Sequence, residues 1–204
     1  TDCSERIAVV HNGIIENHDE LGERLRDRGH AFESDTDTEV IPHLMEEYLA
    51  DSNVERAFRR TIDDLEGSYA IAMIVDDRHE MYAARNGSPL VIGVADDGRY
   101  LASDIPAFLE YTDSIVILED GDIATIGPSE HRISDLDGNP VTRPVETVDW
   151  EADDATKGEH DHYMLKEIHE QPTSLEQTLH GRVHPDDNAV NFDTFPSGTF
   201  QDVD

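Results

Sequence analysis

The chain has 204 residues, enough for one sizeable core, and carries 47 Asp and Glu against 15 Lys and Arg, a formal net charge of −32. That balance repels nucleic acid and anionic membrane and excludes direct binding to either. A single cysteine, Cys3, excludes an internal disulfide and points to a reducing, cytoplasmic compartment, and no apolar run has the length of a membrane span or a secretory leader.

The acids are dispersed between apolar runs, so the composition does not describe a disordered chain. Lysine is nearly absent, with only Lys157 and Lys166. A dispersed acidic surface poor in lysine fits a protein adapted to high salt, where charge repulsion is screened. The chain opens at Thr1 without a methionine and is expected to be an excerpt of a longer protein.

Ile7 to Val10 is an unbroken apolar run, expected to be a strand buried on both faces. It meets His11, Asn12 and Gly13. Asn-Gly is a strong turn signal, yet Ile14, Ile15, Glu16 and Asn17 do not alternate as a returning strand should. The other reading is chemical: an amide side chain and a glycine N–H at the mouth of a strand can donate to one anion, as an oxyanion hole requires.

His18 to Arg28 predicts an amphipathic helix with Leu21 and Leu25 inward, acids early and arginines late, closed by Gly29. A short strand is expected over Ala31 to Glu33. Ser34 to Val40 reads S-D-T-D-T-E-V, dense in capping residues. Thr36 or Asp37 is expected to cap a helix to about Leu49, with Val40, Ile41, Leu44, Met45 and Tyr48 inward and Pro42 in its first turn. Asp37 also has a chemical reading, because a carboxylate held by backbone N–H groups stays ionised and can bind an ammonium group. A third helix is expected from Val54 to Leu65.

From Gly67 the period changes. Tyr69 to Val75, Met81 to Ala84, Leu90 to Val94, Tyr100 to Ala102, Ile115 to Leu118, Ile123 to Ile126 and Arg132 to Ser134 read as strands. Pro106 to Tyr111 reads as a short helix and Asp120-Gly121 as a hairpin turn. Helices followed by strands on tight turns predict an α+β fold with antiparallel sheets. Past Trp150 the chain turns polar. A helix is expected from Tyr163 to Gln171, broken at Pro172 and resuming to Leu179, before an aperiodic segment from Val183 to Asp204.

Three groups compete for chemistry and lose. Cys3 is a strong intrinsic nucleophile, but its neighbours Asp2, Ser4 and Glu5 do nothing to activate a thiol, and it is expected to be a bystander. Two of His160, His162 and His169 could share a helical face, but no zinc-type ligand spacing occurs, so no metal and no cofactor is expected. The Asp-Asp pairs read as turns and surface.

Several stretches then point one way: A-V-V-H-N-G-I-I-E-N, S-D-T-D-T-E-V-I, A-A-R-N-G-S-P-L-V-I-G, L-E-D-G-D-I-A and H-Y-M-L-K-E-I-H-E-Q-P. In this order they resemble the glutamine amidotransferase domain of the glutamine–fructose-6-phosphate aminotransferases, from about Arg6 to Arg182. The resemblance implies an N-terminal-nucleophile hydrolase fold, a four-layer αββα sandwich with antiparallel sheets, here as a partial domain over residues 1–182. Residues 183–204 are then a linker toward a sugar isomerase domain. It implies a cysteine thiolate that attacks the side-chain amide of L-glutamine, with Asn12 and Gly13 forming the oxyanion hole and Asp37 holding the substrate α-amino group. It also implies D-fructose 6-phosphate as acceptor in the parent protein, which is expected to be a homodimer. The family's opening Cys-Gly-Ile and its Arg-Trp-Ala-Thr-His block do not occur among these residues, and Ser4 follows Cys3 where the family has glycine. The fragment by itself is therefore expected to be inactive. The same fold implies two rivals, phosphoribosylamine-forming and asparagine-forming amidotransferases. A non-catalytic regulatory or assembly module remains a third.

Overall fold

The structure, a computed structural model, describes residues 1–148, 160–179, 183–184 and 189–190, in two compact units, Thr1–Asp154 and Ala155–Asp204. In the first unit, strand β1 (Ile7–Ile15) pairs antiparallel along its whole length with β2 (Gly67–Val75), setting Asn12 opposite Ala70 and Gly13 opposite Tyr69. Asn12-Gly13 is therefore strand, not turn. Strands β3 (Met81–Asn86), β7 (Ile123–Ile126), β8 (His131–Ser134) and β9 (Pro140–Val141) extend this to a six-stranded sheet, ordered β1-β2-β3-β7-β8-β9.

Among the described residues β1 is an edge strand, which overturns the expectation of a strand buried on both faces. Its odd positions Ile7 and Ile15 are buried, whereas Val10 is 70% and Ile14 64% exposed. The buried side meets three helices, α1 (His18–Asp27), α2 (Val40–Leu49) and α3 (Val54–Asp64). Leu21, Leu25, Ile41, Leu44, Phe58 and Ile62 of those helices pack with Ile7, Ile71, Met73 and Tyr82 of the sheet. The apolar spacing of each helix supplies this face. Gly29, at φ +100, closes α1, and the Asn53 side chain accepts from the Arg56 N–H to start α3.

A second sheet packs against the other face of the first. It holds β4 (Val91–Val94), β5 (Arg99–Ala102), β6 (Ser114–Ile117) and β10 (Glu146–Thr147), ordered β10-β6-β4-β5. Ala70, Ala83 and Ala124 present small side chains to Ile92, Val116 and Leu118, so the two sheets interdigitate closely. On its outer face Val91 and Ile115 bury Phe108, and the expected helix over Pro106 to Tyr111 is there only a 3-10 turn, Ile105–Ala107.

Two more expectations fail for local reasons. Ala31 to Glu33 forms no strand, because side chains take its donors: the Ala31 N–H goes to Cys3 Sγ at 3.4 Å and the Glu33 N–H to Glu39 Oε1 at 2.6 Å. Asp120-Gly121 is a turn but not a hairpin, since β6 before it and β7 after it lie in different sheets. Asp122 anchors that crossing. Its buried carboxylate accepts from the Glu119 N–H at 2.8 Å and takes a two-pronged contact from Arg143, 2.8 and 2.9 Å.

In the second unit, α4 (Tyr163–Leu179) runs through Pro172 rather than breaking there, at the cost of the bond that an N–H at 172 would give the Ile168 carbonyl. Beyond it β11 (Val183–His184) pairs with β12 (Ala189–Val190). Trp150 and the polar stretch after it, with most of residues 183–204, lie outside the described residues.

Asp122→Ala removes three hydrogen bonds and leaves Arg143 facing Glu119 alone, and is expected to destabilise the first unit by about 2 to 3 kcal/mol. Urea unfolding measures this, and an unchanged midpoint contradicts the anchoring role.

Candidate active site

Antiparallel pairing sends alternate N–H groups of an edge strand away from its partner. On β1 these are the odd positions. The Ile7 N–H leaves the sheet to reach Asp2 Oδ1 at 2.7 Å, and the Ile15 N–H leaves it to reach Asp37 Oδ2 at 2.8 Å. Gly13 lies between them in the same register, so its N–H is directed to the same free edge. Two aspartates thus close the two ends of the edge, and Asn12 and Gly13 lie next to the end held by Asp37.

Gly13 has φ +128, and a Cβ there would stand 2.0 Å from the Ser68 carbonyl oxygen. Across the ladder Gly67 has φ +120, with a Cβ position 2.2 Å from the Ile14 carbonyl oxygen. The two backbones approach so closely here that no side chain fits on either strand. Asn12 points to the opposite, exposed face of β1 together with Val10 and Ile14.

Asp37 begins the 3-10 turn Asp37–Glu39, but the cap of that turn is Thr36, whose side chain accepts from the Thr38 N–H at 3.3 Å. Released from capping, the Asp37 carboxylate ties the turn to β1. Thr36 Oγ1 and Thr38 Oγ1 both lie 3.4 Å from Asp37 Oδ1, and Thr38 Oγ1 meets His11 Nδ1 at 3.0 Å. Partial burial pushes the Asp37 carboxyl up, but the Ile15 N–H, the His11 side chain and the Thr38 N–H outweigh it and hold it below the ordinary aspartate value. His11 is held below its own ordinary value by burial, against the pull of Asp37. The site therefore presents an ionised carboxylate beside a largely neutral imidazole. It suits a cation such as a substrate ammonium group.

The glutamine amidotransferase domain family matches residues 1–110, more than half the chain. The chain belongs to that family. Relatives agree: it is 46% identical over 181 residues to a glutamine–fructose-6-phosphate aminotransferase (isomerizing) of Sulfolobus acidocaldarius, covering 87% of this chain and 31% of the relative. A relative of the same name from Halobacterium salinarum is 48% identical over 184 residues, 90% of this chain and 30% of the relative. The amidotransferase domain here thus spans about 30% of the length of the curated relatives it matches. Among solved structures, glutamine phosphoribosylpyrophosphate amidotransferase of B. subtilis superposes with a TM-score of 0.58 at 26% identity, over 66% of this chain and 30% of that one. The fold is that of the N-terminal-nucleophile hydrolase amidotransferases, with helices, two antiparallel sheets and a thin outer cover.

Of the residues singled out in the sequence, Gly13 lies two residues from the Ile15 N–H that holds Asp37, whereas the Asn12 side chain lies on the other, exposed face of β1. His160 and His169 of the second unit stack at 5.2 Å between ring centroids. Cys3 is no isolated bystander: its sulfur lies 3.6 Å from Nδ1 of both His30 and His43. The sequence signal for that grouping was His43-Leu-Met-Glu46, two ligand-type side chains three apart on one face of α2.

Gly13→Ala is expected to cost about 3 kcal/mol, from strain at positive φ and displacement of β2. Thermal unfolding checks this; a melting temperature equal to wild type contradicts it. Because the folded-state pKa of Asp37 lies below its unfolded value, its stabilisation is complete above roughly pH 4 and is lost as pH falls through the folded value. The stability gap between wild type and Asp37→Asn is therefore expected to close on acidification and to be flat above pH 5 or so. A gap that widens in acid contradicts the assignment.

Proposed function

We propose that this amidotransferase domain forms the oxyanion hole and glutamine-binding part of an enzyme that moves the amide nitrogen of L-glutamine to D-fructose 6-phosphate. The products are D-glucosamine 6-phosphate and L-glutamate. The observation that supports the reading is the hydrogen bond of the Ile15 N–H to the Asp37 carboxylate, two residues past Gly13, which ties a carboxylate suited to an ammonium group to the strand that carries Asn12 and Gly13. The relatives named for fructose-6-phosphate amination, at 46–48% identity, favour this acceptor over phosphoribosylpyrophosphate, whose enzyme matches at 26%.

The chemistry follows from charge. A cysteine thiolate of the family's N-terminal segment attacks the carboxamide carbon, and negative charge develops on the amide oxygen. Asn12 Nδ2–H and the Gly13 N–H donate to that oxygen, while Asp37 fixes the α-ammonium end of the substrate. The nucleophile's own α-amino group, holding the proton taken from the thiol, passes it to the departing nitrogen; collapse then expels ammonia and leaves a thioester, which water cleaves to glutamate and the free thiol. No residue of the 204 matches that nucleophile, so the chain by itself is expected to release no glutamate. Residues 1–182 form the amidotransferase part and 183–204 the link toward an isomerase domain, in a cytoplasmic, homodimeric parent.

The experiment is glutaminase and amino-sugar assay of the longer protein with its own N-terminal cysteine, wild type against Asn12→Ala. Loss of one oxyanion donor is expected to lower kcat for glutamate release by about 10²–10³, with KM for glutamine little changed. Unchanged turnover in Asn12→Ala supports a non-catalytic module instead. Glutamate without glucosamine 6-phosphate places the domain in another amidotransferase.

We further propose that the acidic surface is an adaptation to molar salt. With 47 acidic residues and two lysines, self-repulsion is large wherever it is unscreened. Circular dichroism across a sodium chloride series is expected to show the fold lost in dilute buffer, and a spectrum unchanged there refutes the adaptation.

A further inference from the structure

Cys3, His30, His43 and Glu46 each offer one donor atom, and all four atoms lie within 4.8 Å of one another. They come from three places: the loop before β1, the residue after the α1 cap, and one face of α2. His43 is 1% exposed, and Phe32 packs on its ring at 4.5 Å. The glutaminase chemistry proposed above uses none of these four residues, which contact one another.

Four of the donor-to-donor distances can be set against those of a tetrahedral zinc site. With zinc–sulfur near 2.3 Å and zinc–nitrogen or –oxygen near 2.0–2.2 Å, tetrahedral angles put sulfur about 3.6 Å from nitrogen and nitrogen about 3.4 Å from oxygen. Cys3 Sγ is 3.6 Å from His30 Nδ1 and 3.6 Å from His43 Nδ1. Glu46 Oε2 is 3.1 Å from His30 Nδ1 and 3.8 Å from His43 Nδ1, on either side of the expected value.

The surroundings also suit a metal. Both histidines turn Nδ1 inward, and their Nε2 atoms face carboxylates at ion-pair distance, His43 to Glu39 Oε1 at 3.6 Å and His30 to Glu47 Oε1 at 3.8 Å. The sulfur receives the Ala31 N–H at 3.4 Å, the kind of contact that stabilises a bound thiolate. Soft sulfur with two imidazoles favours zinc over magnesium or calcium, which prefer oxygen.

We propose that Cys3, His30, His43 and Glu46 bind one structural Zn²⁺ that clamps the entry of β1 to the helical layer. Four protein ligands leave no open position, so the ion serves the fold and not the reaction. It would hold the loop before β1 at a second point: Cys3 is fixed to α2 while Asp2, next to it, takes the N–H groups of Arg6 and Ile7 at 2.8 and 2.7 Å. The clamp joins residues 40 apart in sequence, so metal binding and folding are coupled.

The test uses the untagged 204-residue chain, stripped with chelator and titrated with Co²⁺ alone and then Zn²⁺, in molar sodium chloride with excess Mg²⁺ to mask the diffuse acidic surface. The expected result is one equivalent of cobalt with the intense visible bands of a tetrahedral site and a thiolate-to-cobalt band, all displaced by zinc. Cys3 is exposed, so Cys3→Ser spares the core; it is expected to lose the thiolate band and to weaken zinc binding by about 100-fold or more. His30→Ala is expected to lose the tetrahedral bands as well. A weak octahedral cobalt spectrum in the wild type, or metal binding undiminished in Cys3→Ser, overturns the proposal.

Discussion

A 2.8 Å hydrogen bond from the Ile15 N–H to the Asp37 carboxylate holds the candidate site together. An edge strand leaves half its backbone donors without a sheet partner, and each must be satisfied by something else. On β1 the ends are satisfied by Asp2 and Asp37, two acids that enter from loops on the helical side. The same bond helps to hold the Asp37 carboxyl below its ordinary value and ties the 3-10 turn to β1. Structure and chemistry share one contact.

The second constraint is the close approach of β1 and β2. Gly13 and Gly67 leave no room for a Cβ on either side, and that closeness keeps the nine-residue register continuous through an Asn-Gly pair that would ordinarily turn. The register then settles the faces. Odd residues feed the core under α1, α2 and α3, and even residues put Asn12 on the open face beside Val10 and Ile14. A slip of one residue would exchange Asn12 with His11 and separate the site from Asp37.

Much of this was legible in the sequence, and the failures are instructive. The three helices follow from apolar spacing and caps, and each begins and ends within a residue or so of its expected place, except that the second is preceded by a 3-10 turn. For Asn12-Gly13 and Asp37 local chemistry left turn and cap as the rival readings, and the resemblance supplied the chemical ones; the structure makes Asn12-Gly13 strand and gives the capping role to Thr36. What the sequence hid is whatever depends on distant partners. Ala31 to Glu33 has strand composition but loses its donors to Cys3 and Glu39. Asp120-Gly121 has hairpin composition but joins two sheets, and buried Asp122, gripped by half-buried Arg143, holds the far side of the turn. Cys3 lies 27 residues from His30 and 40 from His43, and nothing short of the fold brings them together.

The central claim is that one end of β1 is a glutamine site. The most direct measurement is a crystal structure of the longer protein covalently trapped with a glutamine-derived electrophile. The account predicts the ligand α-ammonium on the Asp37 carboxylate and the former amide oxygen within hydrogen-bond distance of Asn12 Nδ2 and the Gly13 N–H. A ligand whose ammonium rests on another carboxylate, with its oxygen turned away from Asn12 and Gly13, contradicts it.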